Sequence, residues 1–314
     1  MTIARHILAG LAAVALTLGL VGCRSGSDAT DNGRPVVVAS TTMLADLATQ
    51  LGGDDVVVRG LMSPGGDPHL YQPTPSDGRA IASSALVVRN GLQLEGWIDD
   101  LLENAGGERP IVTASTGVEP LTKADGTGRI DPHFWMDATL WAGAADEVAE
   151  GLYAILDDEG DARVRARLEA YHAEIDALHA WITARIASIP APQRVLVTSH
   201  DAFGYFGAAY AIQVRGLVGI STEQEAGQRD VAALIEFVRA QALPAIFVET
   251  SVNPALIEQI GRETGVDVAG PLYGDSLGAA DGPAATWVGM MTENTRMIVE
   301  SLGGTWEPFA GADA

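Results

Sequence analysis

The chain has 314 residues, 47% of them hydrophobic, and carries 41 Asp and Glu against 19 Lys and Arg, for a net charge of −22. It is long and apolar enough for two domains with separate cores, which argues against disorder. Its acidity would repel a phosphate backbone, so nucleic-acid binding is excluded.

At the N-terminus Arg5 and His6 precede an apolar run over residues 7–21. The run falls short of the roughly 20 residues a membrane span needs but suits the core of a signal peptide. It ends Leu20-Val21-Gly22-Cys23, which resembles a bacterial lipoprotein processing site. Cys23 is the only cysteine, so no internal disulfide can form, and lipidation would give the thiol a purpose. Residues 1–23 are therefore expected to be a signal peptide with Cys23 as the lipidated residue. Residues 24–34, rich in Ser, Gly and Asp, read as a flexible tether.

The folded part opens with a β-branched strand at residues 35–40. A helix capped by Thr41 or Thr42 follows, with Met43, Leu44, Leu47 and Leu51 on its apolar face. Strands are expected at 56–61, 85–89 and 110–114, with a short helix after Ser76 and another around 97–105. That alternation predicts a parallel sheet. From 138 to 189 the pattern is helical with one bend at 157–160, which predicts a long helix connecting two lobes. Strand and helix then alternate again: strands at 194–198, 212–218, 245–249 and 266–269, helices at 202–210, 230–240, 254–264 and 286–302. The tail to Ala314 reads as loose. The expected fold class is α/β, with an N-terminal βα lobe (35–140), a linking helix (141–189) and a C-terminal βα lobe (190–308).

Asp131-Pro132-His133 repeats the earlier Asp67-Pro68-His69. The proline in each triplet stiffens the backbone ahead of the histidine, which suits metal ligation, although Asp-Pro is also an ordinary turn dipeptide. His69, His133, His200 and Asp275 each come after an expected strand, at the strand ends where open parallel sheets place ligands. Three imidazoles and one carboxylate suit Zn2+, with Mn2+ or another transition metal open. His172 and His179, on the expected linking helix, read as surface residues. Asp67, Asp131, Asp201 and Glu249 are candidates to orient the imidazoles through their second ring nitrogens, or else are loop caps and solvated charges. Burial of Glu249 would demand a partner such as Arg215, or protonation. Phe134, Trp135, Phe203, Tyr205 and Phe206 read as core or cleft wall. No metalloprotease helix, nucleophile elbow or phosphate-binding loop is present.

The lipobox, residues 67–77 (DPHLYQPTPSD), 131–137 (DPHFWMD), 199–206 (SHDAFGYF) and 273–278 (YGDSLG) together resemble the cluster A-I solute-binding lipoproteins of bacterial zinc and manganese ABC importers. The likeness spans nearly the whole mature chain. It implies two βα lobes joined by a rigid helix, and one Zn2+ or Mn2+ per chain held between them by His69, His133, His200 and Asp275. It also implies delivery of that ion to an ABC permease and its ATPase by a monomer anchored to the outer face of the cell membrane through Cys23, without catalysis. Members selective for manganese often carry glutamate where this chain has His200, whereas many dedicated zinc members carry a His-rich loop between the first two ligands that is missing here. Two other readings stand beside it: a metal-dependent hydrolase with Glu249 as base, and a metal-binding surface adhesin.

Overall fold

The computed structural model describes residues 30–122, 128–223 and 226–311. The expected signal peptide, Cys23 and most of the tether lie outside the described residues. The tether's last residues are not free chain. Strands β1 (Thr30–Asp31) and β2 (Arg34–Ala39) pair antiparallel, with Asn32 and Gly33 at φ 52° and 83°. That is the tight hairpin turn an Asn-Gly pair favours.

β2 also lies at the centre of a parallel array with β3 (Val57–Gly60), β4 (Leu86–Arg89) and β5 (Ile111–Thr113), in the order β3-β2-β4-β5. Both faces of its apolar run are covered, as expected of a parallel strand between helices. Val37 and Ala39 pack toward α1 (Thr42–Gly52). Val36 and Val38 pack against Ile81 and Ile98, on α2 (Pro75–Ala82) and α3 (Ile98–Ala105). Thr41 caps α1 by accepting from the Leu44 amide at 3.3 Å.

The long helical stretch departs from expectation. It breaks fully into α4 (Ala138–Tyr153) and α5 (Asp158–Ala187). Asp157 accepts from the Gly160 amide at 2.9 Å, and the acidic residues of the next turn favour a fresh helix N-terminus there. α4 packs on α1, β4 and β5 and so belongs with the N-terminal lobe, leaving α5 as the connector. Arg167 of α5 donates to the carbonyls of Leu51 and Gly52 at 2.6 and 2.9 Å, closing the C-terminal end of α1. Among the described residues no helix is long and apolar enough to cross a membrane.

In the C-terminal lobe β6 (Val195–Thr198) pairs in parallel with β7 (Gln213–Gly216), and β8 (Ala245–Glu249) with β9 (Asp267–Leu272). The lobe thus contains two short ladders, with β6 lying beside β8. Its helices are α6 (Gly204–Tyr210), α7 (Gln228–Gln241), α8 (Ala255–Thr264) and α9 (Trp287–Ser301).

One apolar core runs through both lobes and α5, joining Leu47 of α1, Trp141 of α4, Ile182 of α5, Phe206 of α6 and Met291 of α9. The rings of Trp141 and Trp287 stack at its centre, 5.2 Å apart. The tail expected to be loose is held in its first part. Trp306 and Phe309 pack on Trp181 of α5 at 5.3 and 5.6 Å, and the Trp181 indole donates to the Glu307 carbonyl at 3.0 Å. Two aromatic side chains supply the anchoring area that the tail's Gly and Asp content hides.

Candidate metal centre

His69 lies in the loop between β3 and α2, and His133 just ahead of the turn Phe134–Met136 that leads into α4. His200 follows β6 and Asp275 follows β9. The structure brings these four together between the lobes, with one donor atom from each lying within 4.8 Å of the others. The His133 and His200 Nε2 atoms are 3.3 and 3.1 Å from the Asp275 oxygens. His69 Nε2 is 3.3 Å from His133 Nε2 and 4.0 Å from Asp275. A tetrahedral ion with bonds of about 2.0–2.1 Å holds its ligand atoms about 3.3 Å apart, and three of these separations are close to that spacing. The side chains of His133, His200 and Asp275 are fully buried, and that of His69 is 5% exposed.

Two carboxylates stand behind the imidazoles. Asp131 Oδ1 accepts from the His133 ring Nδ1 at 2.7 Å and from the His133 amide at 2.9 Å. Glu249 stands likewise behind His200: one oxygen accepts from the amide at 2.8 Å and the other makes an ion-pair contact with the ring Nδ1 at 2.7 Å. Binding Nδ1 leaves Nε2 facing the cluster in each case, the tautomer a metal ligand requires. Arg215, the partner anticipated for Glu249, instead lies over the Phe237 ring at 4.8 Å. Asp201 is next to His200 in sequence, while the carboxylate beside the His200 Nδ1 is Glu249. Asp67 serves the His69 backbone, accepting its amide at 2.8 Å, and reaches Thr222 with its other oxygen at 2.6 Å.

Small residues let these groups approach. A Cβ on Gly274 would come 2.5 Å from a Glu249 oxygen and 3.2 Å from the His200 ring, and one on Gly204 would come 2.5 Å from Asp131. Trp135, read as cleft wall, donates through its indole to the Gly274 carbonyl at 3.0 Å and so ties the His133 segment to the Asp275 loop. Gly274 and Trp135 carry no ligand signal in the sequence beyond standing one and two residues from Asp275 and His133. His172, expected at the surface, is half-buried and lies 3.2 Å from Asp146. His179 packs on Tyr210, with ring centres 5.3 Å apart. Neither joins the cluster.

Charge is balanced inside the cage. Burial alone would push His133 down, but the carboxylates of Asp131 and Asp275 outweigh it and raise the imidazole to about 9. His200 is likewise raised against its own burial by Asp275 and Glu249. Asp275, which burial would raise, is held well below the usual carboxylate range by His200 and His133. His69 goes the other way: burial brings it down to about 4 despite Asp275. A cation entering at Nε2 of His133 or His200 therefore competes with protons that the neighbouring carboxylates favour there. A cleft of about 890 Å3, walled by Tyr71, Gln93, Trp97 and Ile220, opens beside His69 and gives an approach from solvent.

Two α/β lobes on a helical connector, closing between them four convergent side chains that could hold one metal ion, define a metal-binding protein of the two-lobed receptor class. The family model described as zinc-uptake complex component A, periplasmic, matches residues 37–301, and the chain belongs to that family. It is 36% identical over 307 residues to the zinc-binding protein TroA of Treponema pallidum, covering 96% of this chain and 99% of TroA. It is 35% identical over 304 residues to the manganese-binding lipoprotein MntA of Bacillus subtilis, covering 93% and 99%. The iron-binding protein YfeA of Yersinia pestis is 32% identical over 270 residues, covering 85% of this chain and 86% of YfeA. The solved structure of TroA superposes with a TM-score of 0.82 at 36% identity, covering 86% of this chain and 99% of that one.

Proposed function

We propose that this chain is an extracytoplasmic receptor that captures one Zn2+ or Mn2+ ion with His69, His133, His200 and Asp275. It then hands the ion to an ABC permease and its ATPase, acting as a monomer held at the membrane by a lipid on Cys23. The N-terminal lobe, including α4, contributes His69 and His133; the C-terminal lobe contributes His200 and Asp275; α5 joins them. The observation that carries this reading is the convergence of four possible ligand groups, their donor atoms all within 4.8 Å of one another, with carboxylates behind two of the imidazoles. The relatives named for zinc and manganese binding support it.

Nitrogen-rich ligation favours Zn2+ over Mn2+ in affinity. The printed names of the relatives span zinc, manganese and iron, so the metal taken up in the cell is a separate question from the tightest one. A hydrolase would need an open position on the metal and a free base nearby. Glu249, the candidate base, instead lies against the His200 ring and accepts from its amide. Metal-stripped protein titrated with Zn2+ in a calorimeter is expected to bind one equivalent, and His133→Ala to abolish tight binding. Binding undiminished in that variant would overturn the assignment.

A further inference from the structure

His133 and His200 each have a carboxylate of their own lobe against the ring, whereas the loop carrying His69, held within its lobe by the Trp97 indole on the Pro68 carbonyl at 3.0 Å, is also fastened from across the cleft. The Gly65 amide donates to Ser276 Oγ at 2.8 Å, and the Thr222 hydroxyl donates to Asp67 Oδ2 at 2.6 Å. These contacts come from two separate loops of the other lobe: Ser276 follows Asp275, and Thr222 lies beyond β7. Ser276 Oγ is also 3.3 Å from Thr42 Oγ1, which accepts from the Leu277 amide at 2.9 Å, so the seat for Gly65 is itself built from both lobes. Asp67 is the pivot. One of its oxygens holds the His69 amide and the other holds the opposite lobe.

A slight parting of the lobes would stretch both links, as it would the Trp135 bond to Gly274 and the Tyr205 bond to Asp131, while the carboxylate contacts on the His133 and His200 rings stay within one lobe. His69 is the most solvent-accessible of the four, and the backbone that carries it is held in part by closure. We infer that Asp67, Thr222 and Ser276 are positioning residues that clasp the His69 loop to the opposite lobe and set how long the ion is held, without ligating it. The inference rests on the metal-binding reading above.

The test is the release of Zn2+ from purified mature protein into excess chelator, alongside the association rate and the thermal unfolding of the metal-free form. Thr222→Val keeps the side chain's shape and removes its donor, so it is expected to speed release about tenfold, the ratio that a hydrogen bond to a charged group typically carries. Association and metal-free unfolding should stay close to wild type. Thr222→Ser should restore slow release. Asp67→Ala should also speed release, and adding Thr222→Val to it should change nothing further, because the shared bond is already gone. Unchanged release in Thr222→Val, failure of the serine variant to restore it, or effects of the two changes that multiply would each overturn the clasp. If wild-type protein takes up no Zn2+, the proposed function itself falls; normal uptake with insensitive release refutes only the clasp.

Discussion

Glu249→Gln is the sharpest probe of how the centre is built, because it changes no atom that could touch the ion. Glu249 accepts from the His200 amide at 2.8 Å with one oxygen, and its other oxygen lies 2.7 Å from the ring Nδ1 as an ion-pair contact. A glutamine has a single carbonyl to offer. If that oxygen turns to the amide, the NH2 group faces Nδ1, and the neutral ring must place its proton on Nε2, where a ligand's lone pair is needed. If it turns to the ring, a buried amide loses its acceptor, at a cost of about 1–3 kcal/mol to the fold. Replacing such a supporting group typically lowers metal affinity by about 10–100-fold, equivalent to about 1.4–2.7 kcal/mol. Competition against a chromophoric chelator should therefore show Zn2+ bound at least tenfold more weakly, with one equivalent still taken up. Affinity within twofold of wild type, with metal-free stability unchanged, would refute the role given to Glu249.

Metal uptake at neutral pH should release protons. His133, raised to about 9, and His200, also raised, give theirs up, whereas His69 at about 4 has none to give. Affinity should thus weaken as pH falls, and calorimetric enthalpies should vary with the buffer's ionisation heat; buffer-independent enthalpies would contradict this. In the metal-free protein, the stability contributed by protonated His133 is fully present below the free imidazole value of about 6.5 and lost as pH rises through about 9. Thermal unfolding of stripped protein should accordingly fall across that window if no other group offsets it. Arg167→Ala removes the donors to Leu51 and Gly52 and the 2.6 Å contact with Asp55, and should cost about 1–3 kcal/mol in chemical denaturation while leaving Zn2+ affinity unchanged. A loss of affinity without a loss of stability would show that α5 acts on the site and not only on the fold. Trp135, whose ring lies 5.2 Å from His133, should report metal binding as a change in indole fluorescence that Trp135→Phe diminishes.

The four side chains that converge between the lobes were legible because their signal is local: a proline-stiffened triplet twice over, and polar residues at the ends of apolar strands. Glu249 was visible as a charge at the end of a buried strand, but its partner was not, since the approach of β8 to the end of β6 leaves no mark in either segment. Asp131 and Asp67 occupy the same place in their triplets and do different work. Asp131 turns to the ring beside it; Asp67 reaches Thr222, 155 positions away. Hydroxyls such as Thr222 and Ser276 form no period and no spacing, so nothing in the chain singled them out. The break between α4 and α5 was anticipated only as a bend, because helical periodicity persists on both sides of Asp157 while the cap decides the geometry.

The core that runs unbroken from α1 through α5 to α9 has a bearing on how the molecule comes apart. Trp141 and Trp287 stack on each other from opposite lobes, and the Trp287 indole donates to the Trp135 carbonyl at 2.9 Å. Asp46 of α1 accepts the Trp287 amide at 2.7 Å, closing the first turn of α9 from the other lobe. Neither half could be excised without baring large aromatic surface and stranding buried polar groups. Melting should therefore proceed as one cooperative event for the whole body, and a bound ion would stabilise every element at once, including helices that never come near it.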